Sequence, residues 1–143
     1  MLNLIKLVVG VSSLEELAER QKQSINCRLH PEHGPLPVVH TRSYPRRCDE
    51  ILDGGSLYRV ISGLILCRQP ILDIVSETRP DGTQGTLILL SPHIIRVEAR
   101  ALRPFQGWRY LESRDAPPDL GTGATTQAAL PPALQKELTL LGL

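Results

Sequence analysis

The stretch Arg103-Pro104-Phe105-Gln106-Gly107-Trp108-Arg109-Tyr110 interleaves aromatic rings with guanidinium groups and one amide. That set suits a single-stranded nucleic acid or a base pocket: rings stack on bases, guanidinium groups hold phosphate, and an amide reads a base edge. The same residues would serve equally well as a loop that folds Phe105 and Trp108 into the core, with an arginine covering Trp108 by a cation–π contact. A second cluster, Arg42, Arg46 and Arg47, is followed by Asp49, Glu50 and Asp53. Arginines at a helix N-terminus add their charge to free N–H groups and make an anion site. They also allow local pairing, since Arg46 and Glu50 are attractive i,i+4 neighbours and Asp49 and Asp53 repulsive ones. The glycines of Asp53-Gly54-Gly55-Ser56 would let a phosphate or base approach the backbone closely, or would simply cap a helix. The lysine and glycine spacing of a P-loop is missing.

Cys27, His30 and His33 have a Cys-x2-His-x2-His spacing that suits zinc, with His40 or Cys48 as a fourth ligand. Structural zinc sites usually show two paired ligand spacings, and the second is lacking here. Neither a metal nor another cofactor is therefore expected. No nucleophile-elbow, zincin or Cys-x-x-Cys motif occurs, and Cys48 and Cys67 fall at apolar-facing positions. An acid–base pair drawn from Asp53 and Asp73, with Gln69 beside them, is the remaining catalytic arrangement.

These groups sit in a chain of 143 residues, a length that suits one domain with its own hydrophobic core. Sixteen Lys+Arg against fifteen Asp+Glu give a net charge of +1, which excludes a bulk polycation and an acidic solvating chain. Thirteen of the sixteen basic residues are arginine, a bias that fits phosphate binding and fits GC-rich coding equally. The five aromatics leave the core to Leu, Ile and Val. Three cysteines make a disulfide framework unexpected. No apolar run is long enough to span a bilayer. The opening MLNLIKLVVGV lacks both a basic leader and a small-residue cleavage site, so a cytoplasmic protein without a signal peptide is expected.

Leu2 to Val9 is apolar on both alternating faces, the pattern of a strand covered on both sides. Ser12/Glu15 or Ser13/Glu16 forms a capping box ahead of an amphipathic helix of about three turns, with Leu14, Leu17, Ala18, Gln21 and Ile25 on one face. Ser24 to Pro37 reads as a loop. Val38 to Tyr44 predicts a strand, and Pro45 opens a short helix that ends at Gly54-Gly55. Val60 to Cys67 predicts one long central strand, bent or bulged at Gly63, with a new strand starting after Pro70. Pro80 to Thr83 is a turn, Thr86 to Ser91 a strand, and His93 to Leu102 a strand with one charged face. Ala116 to Ala129 reads as a linker, and Pro131-Pro132 opens a final helix.

LNLIKLVVG at the start, TRSYPRRCDEILDGGSL from Thr41 to Leu57, CRQPILD from Cys67 to Asp73, and RPFQGWRYL from Arg103 to Leu111 together resemble an uncharacterised bacterial family, domain of unknown function 1489. The resemblance runs from near Met1 to about Pro118, and weakly to the last helix. It implies a bacterial protein with no assigned activity. It also implies an aromatic after Tyr58, where this chain has Arg59, and a lysine before Gly63, where it has Ser62. At the level of fold analogy alone, the order of basic helix, Gly-Ser-Leu-Tyr and Arg-Gln is loosely similar to PUA-like barrels that bind RNA or modified bases.

The expected fold is α+β: a curved, mostly antiparallel sheet or small open barrel with two or three flanking helices. Residues 1–115 form the domain, 116–129 the linker, and 130–143 a helix docked on the domain or on a partner. The expected function is a binding module for RNA or a nucleotide-like anion. In it Arg46, Arg47, Arg68, Arg103 and Arg109 hold phosphates, Tyr58, Phe105 and Trp108 stack, and Asp53, Gln69 and Gln106 complete the ligand-binding set. The alternatives are an assembly protein whose tail helix meets a protein partner or a second copy, and a small-molecule enzyme. No membrane partner is expected.

Overall fold

The structure is a computed structural model, and it describes residues 2–120. The linker beyond Leu120 and the expected final helix lie outside those residues. The elements run β1 (Leu2–Leu7), α1 (Leu14–Gln21), β2 (Cys27–His30), β3 (Gly34–Thr41), α2 (Cys48–Leu52), β4 (Ser56–Ile61), β5 (Leu64–Thr78), β6 (Gln84–Leu90), β7 (Ile95–Ala101) and β8 (Trp108–Glu112). The strands form one open, mixed sheet in the order β2-β3-β6-β5-β4-β1-β8, with β7 also paired to β5. Only β1 and β4 run parallel; the other pairs are antiparallel. The fold is therefore sheet-dominated α+β, and two α-helices lie among the described residues.

β5 is the spine. Its first half pairs with β4 on one edge and β7 on the other, and its second half pairs with β6. The expected break at Pro70 does not occur. The Pro70 carbonyl accepts from Ser91 N–H at 2.9 Å, on the edge where β6 has just ended. A residue's N and C=O point to the same edge of a strand, so the N–H that proline lacks falls where one partner gives way to the next. The expected single strand from Val60 to Cys67 is instead a hairpin. Ser62 (φ 52°) and Gly63 (φ 82°) both adopt left-handed backbone, the signature of a two-residue type I′ turn. Register shifts at Arg59/Val60, Ile65/Cys67 and Ile71/Asp73 add local twist and curl to the sheet.

That curl makes a core from two sheet halves. Leu2, Leu4 and Leu57 of β1 and β4 pack with Ile71, Ile74, Ile88 and Leu90 of β5 and β6, and Ile51 of α2 joins them. The opposite face of β1 and β4 holds Ile5, Tyr58 and Val60 against Ile65 and Val97. Helix α1 covers a third cluster around Leu17, Ile61 and Cys67. Its cap resolves the choice of capping box: Ser13 Oγ accepts from Glu16 N–H at 3.1 Å, while the Glu16 carboxylate returns to Ser12. The helix stops at Gln21, so Ile25 falls beyond it and is exposed rather than on its apolar stripe.

Residues 24–37, expected as a loop, contain β2 and the start of β3. The β2–β3 hairpin curls towards β5, with His30 Nε2 3.2 Å from Asp73 and Arg28 3.9 Å from Glu77. At the far end, Asp119 bridges to Val97 and Pro117 is fully buried, so residues 117–120 lie against β7.

Candidate functional site

Strand β8 separates the residues of the Arg103–Tyr110 block by simple alternation. Trp108 and Tyr110 face one side, and Arg109 and Leu111 the other. On the second side, Phe105 packs into the cluster around Tyr58 and Val97, and the Arg109 guanidinium stacks 4.5 Å from the Phe105 ring centre. These two residues thus follow the core reading of the block, with the cation on Phe105 rather than on Trp108.

On the first side lies an open cleft of about 420 Å³, within the size range of small-ligand sites. One wall comes from Arg42 to Arg46, in the segment joining β3 to α2, and the other from Gln106 to Tyr110. The Trp108 indole N–H donates to the Ser43 carbonyl at 2.9 Å and ties the walls together. Trp108 and Tyr110 meet edge to face, with ring centres 4.9 Å apart. The Tyr110 hydroxyl accepts from the Arg47 backbone N–H at 3.2 Å. Tyr44 is 45% exposed and Tyr110 36%, while Trp108 is half-buried. The Tyr44 hydroxyl donates to the Ile74 carbonyl at 3.1 Å and lies 3.5 Å from Cys48 Sγ. The Cys48 contact and burial push its pKa up to about 12, so it is a neutral hydroxyl at physiological pH.

Three of the chain's five aromatics therefore line one cleft at its surface. Arg42 and Arg46 are exposed in the same cleft, and neither is ion-paired among the described residues. The i,i+4 pair expected between Arg46 and Glu50 is replaced by Arg47, whose guanidinium meets the Glu50 carboxylate at 2.7 and 2.8 Å. The substitution follows from the helix start: α2 begins at Cys48 with Arg47 as its N-cap, so Arg47 is three residues from Glu50 and Arg46 lies outside the helix.

The remaining residues of the expected set lie elsewhere. Tyr58 is buried among Ile5, Val60 and Ile65. Arg68, opposite Tyr58 across β4 and β5, binds Asp119 through two hydrogen bonds of 2.8 and 2.7 Å and Ser56 Oγ at 2.7 Å. Gln69 is fully buried and bonded to Arg59, Gln21 and the Ser91 carbonyl. Asp53 and Arg103 are exposed, and neither lines this cleft. Asp73 is turned to His30 and to the Ile74 N–H. Of the expected residues, then, Arg46, Gln106 and Trp108 come together. Arg42, Tyr44 and Tyr110 join them, and Arg47 borders the cleft through Tyr110.

No three His, Cys, Asp or Glu side chains converge as a metal site among the described residues. The His30 and His33 rings meet at a 40° tilt with centres 4.9 Å apart, and the Cys27 thiol donates to the Gln21 carbonyl. No helix among those residues is long and apolar enough to cross a membrane. The model of a protein family of unknown function, DUF1489, matches residues 4–143. No curated protein and no solved structure matches the chain.

Proposed function

The chain belongs to the DUF1489 family, whose function is unknown, and we propose that it is a small binding module for RNA or a nucleotide-like anion, with the cleft at Trp108 as its site. One observation carries this reading. Tyr44, Trp108 and Tyr110 surround a cleft that also holds two arginines unpaired among the described residues, with Trp108 turning its buried side to the central aliphatic cluster. Tyr44 and Tyr110 stay exposed although burying a ring is the more stabilising use of it. A base stacking on an exposed ring face, with its phosphate on Arg42 or Arg46 and an edge on the Gln106 amide, fits these groups.

The charge sets the expected strength. Two arginines neutralise about two phosphates, so affinity for a single strand falls only about seven-fold between 50 and 200 mM salt. Binding at this site is consequently modest and moderately salt-sensitive. Trp108 is the sole tryptophan, which makes its emission a direct reporter. Titration with a short mixed-sequence oligoribonucleotide and with a nucleoside monophosphate is expected to change Trp108 emission. Replacing both Arg42 and Arg46 by Gln should weaken binding about ten-fold and flatten the salt dependence. Unchanged emission with every probe at low salt would overturn the reading.

A further inference from the structure

A second pocket, sharing no lining residue with the Trp108 cleft, opens between the end of β1, helix α1 and β3, with a volume of about 250 Å³. Three of its lining residues are Lys6, Arg20 and Arg59. Arg59 is in the middle of β4 and only 8% exposed. Among the described residues its guanidinium makes one hydrogen bond, at 2.5 Å, to the Gln69 side-chain carbonyl. Gln69 is neutral, and its amide N–H groups are spent on Gln21 and the Ser91 carbonyl at 2.7 and 3.0 Å. Cys67 stands opposite Arg59 across β4 and β5, but burial pushes that thiol up to about 11, so it supplies no negative charge near neutral pH. Arg20 spends its guanidinium on the backbone carbonyls of Val9 and Gly10. Among the described residues, no carboxylate forms an ion pair with any of the three cations.

A buried guanidinium without a counter-charge is costly, and a single neutral hydrogen bond does not offset it. Like charges add to the cost. Burial first, and Arg59 second, lower the Lys6 pKa; burial, with Arg20 adding to it, holds Arg59 down at about 10. Both groups are held below their ordinary values by burial and by a neighbouring positive charge, and an anion beside them would relieve both. The other walls are apolar, with Val8, Val38 and Leu90 among them.

We propose that this pocket binds a small organic oxyanion, its phosphate or carboxylate head held by Arg59 and Lys6 beside the Arg20 charge, and its short apolar body against Val8, Val38 and Leu90. Arg59 presents a planar fork suited to two oxygens of one head group, and Lys6 adds a point charge. The volume of about 250 Å³ matches a small molecule.

The test uses butyl phosphate, butyrate and inorganic phosphate as probes, each against sodium chloride at equal ionic strength. Thermal unfolding and titration calorimetry of the full chain provide the readouts. At least one organic anion should raise Tm above the chloride control and bind more tightly than inorganic phosphate. Comparison of butyl phosphate with butyrate identifies the head group. Arg59→Met removes the buried cation but strands the Gln69 side-chain carbonyl, so it should abolish the response while Tm without ligand changes little or falls by a few degrees. Lys6→Met should weaken binding about ten-fold, the loss expected for one charge-assisted contact, and decides the matter if Arg59→Met does not fold. Arg46→Gln should leave the response intact, which separates this pocket from the Trp108 cleft. Equal Tm with all probes and chloride would overturn the proposal, as would an undiminished response in Arg59→Met or Lys6→Met.

Discussion

Arg68 shows how one side chain ties a distant segment to the sheet. Its two hydrogen bonds to Asp119 hold residues 117–120 against β7. Those bonds and the guanidinium charge keep the Asp119 carboxyl below its ordinary value. Its pKa is thus lower in the folded chain than in the unfolded one. The stabilisation is complete above the unfolded value of about 4 and is lost as pH falls through the folded value. Both side chains are partly solvated, so Asp119→Asn should cost about 1 kcal/mol or less at pH 7. Urea denaturation of variant and wild type should show the difference narrowing as pH drops below about 4; a gap that persists unchanged into acid would exclude this origin. Arg59 makes a contrasting case. The family resemblance marked it as a departure from an expected aromatic, yet the residues that surround it, Lys6 and Arg20, reach it only through the β1–β4 pairing and the docking of α1.

At the scale of elements, the β4–β5 hairpin places a serine where left-handed backbone is required. Asparagine tolerates that conformation better than serine does, so Ser62→Asn should stabilise the chain by about 0.5–1 kcal/mol. Chemical denaturation reads this directly; a loss of stability would contradict the turn assignment. The Ser-Gly pair is a turn signal, but the apolar residues on either side, Val60-Ile61 and Leu64 to Cys67, matched a single buried strand equally well. Pro70 misleads for a related reason: a rule about ladder hydrogen bonds assumes one partner per edge, and β5 changes partners there. Strand β1, a capping box at Ser12 or Ser13 and the turn at Pro80 to Thr83 needed only local information and were legible. The cleft was legible in part. Gln106, Trp108 and Tyr110 share a block, but their meeting with Arg42 and Arg46 depends on the segment after β3 crossing to β8.

Over the whole molecule, the central cluster takes residues from β1, α2, β4, β5 and β6, so the two halves of the sheet share one core. They should unfold together. Leu57→Ala, at a fully buried position in that cluster, should cost about 3 kcal/mol. Far-UV circular dichroism and Trp108 fluorescence should still give coincident transitions. Separate transitions would mean that β2, β3 and β6 form an independent unit. Composition anticipated this core, since a chain with five aromatics has to build it from Leu, Ile and Val.

The parallel pairing of β1 has a consequence for the order of assembly. Leu4 lies beside Leu57 of β4 on one edge and Tyr110 of β8 on the other. Both neighbours come later in the chain, and the hairpins β4–β5 and β5–β6 close over far shorter spans. During synthesis on the ribosome, an apolar strand therefore emerges before either edge has anything to pair with. It must wait, held off aggregation by whatever greets a nascent chain, until the strands made after it have built the slot it fills.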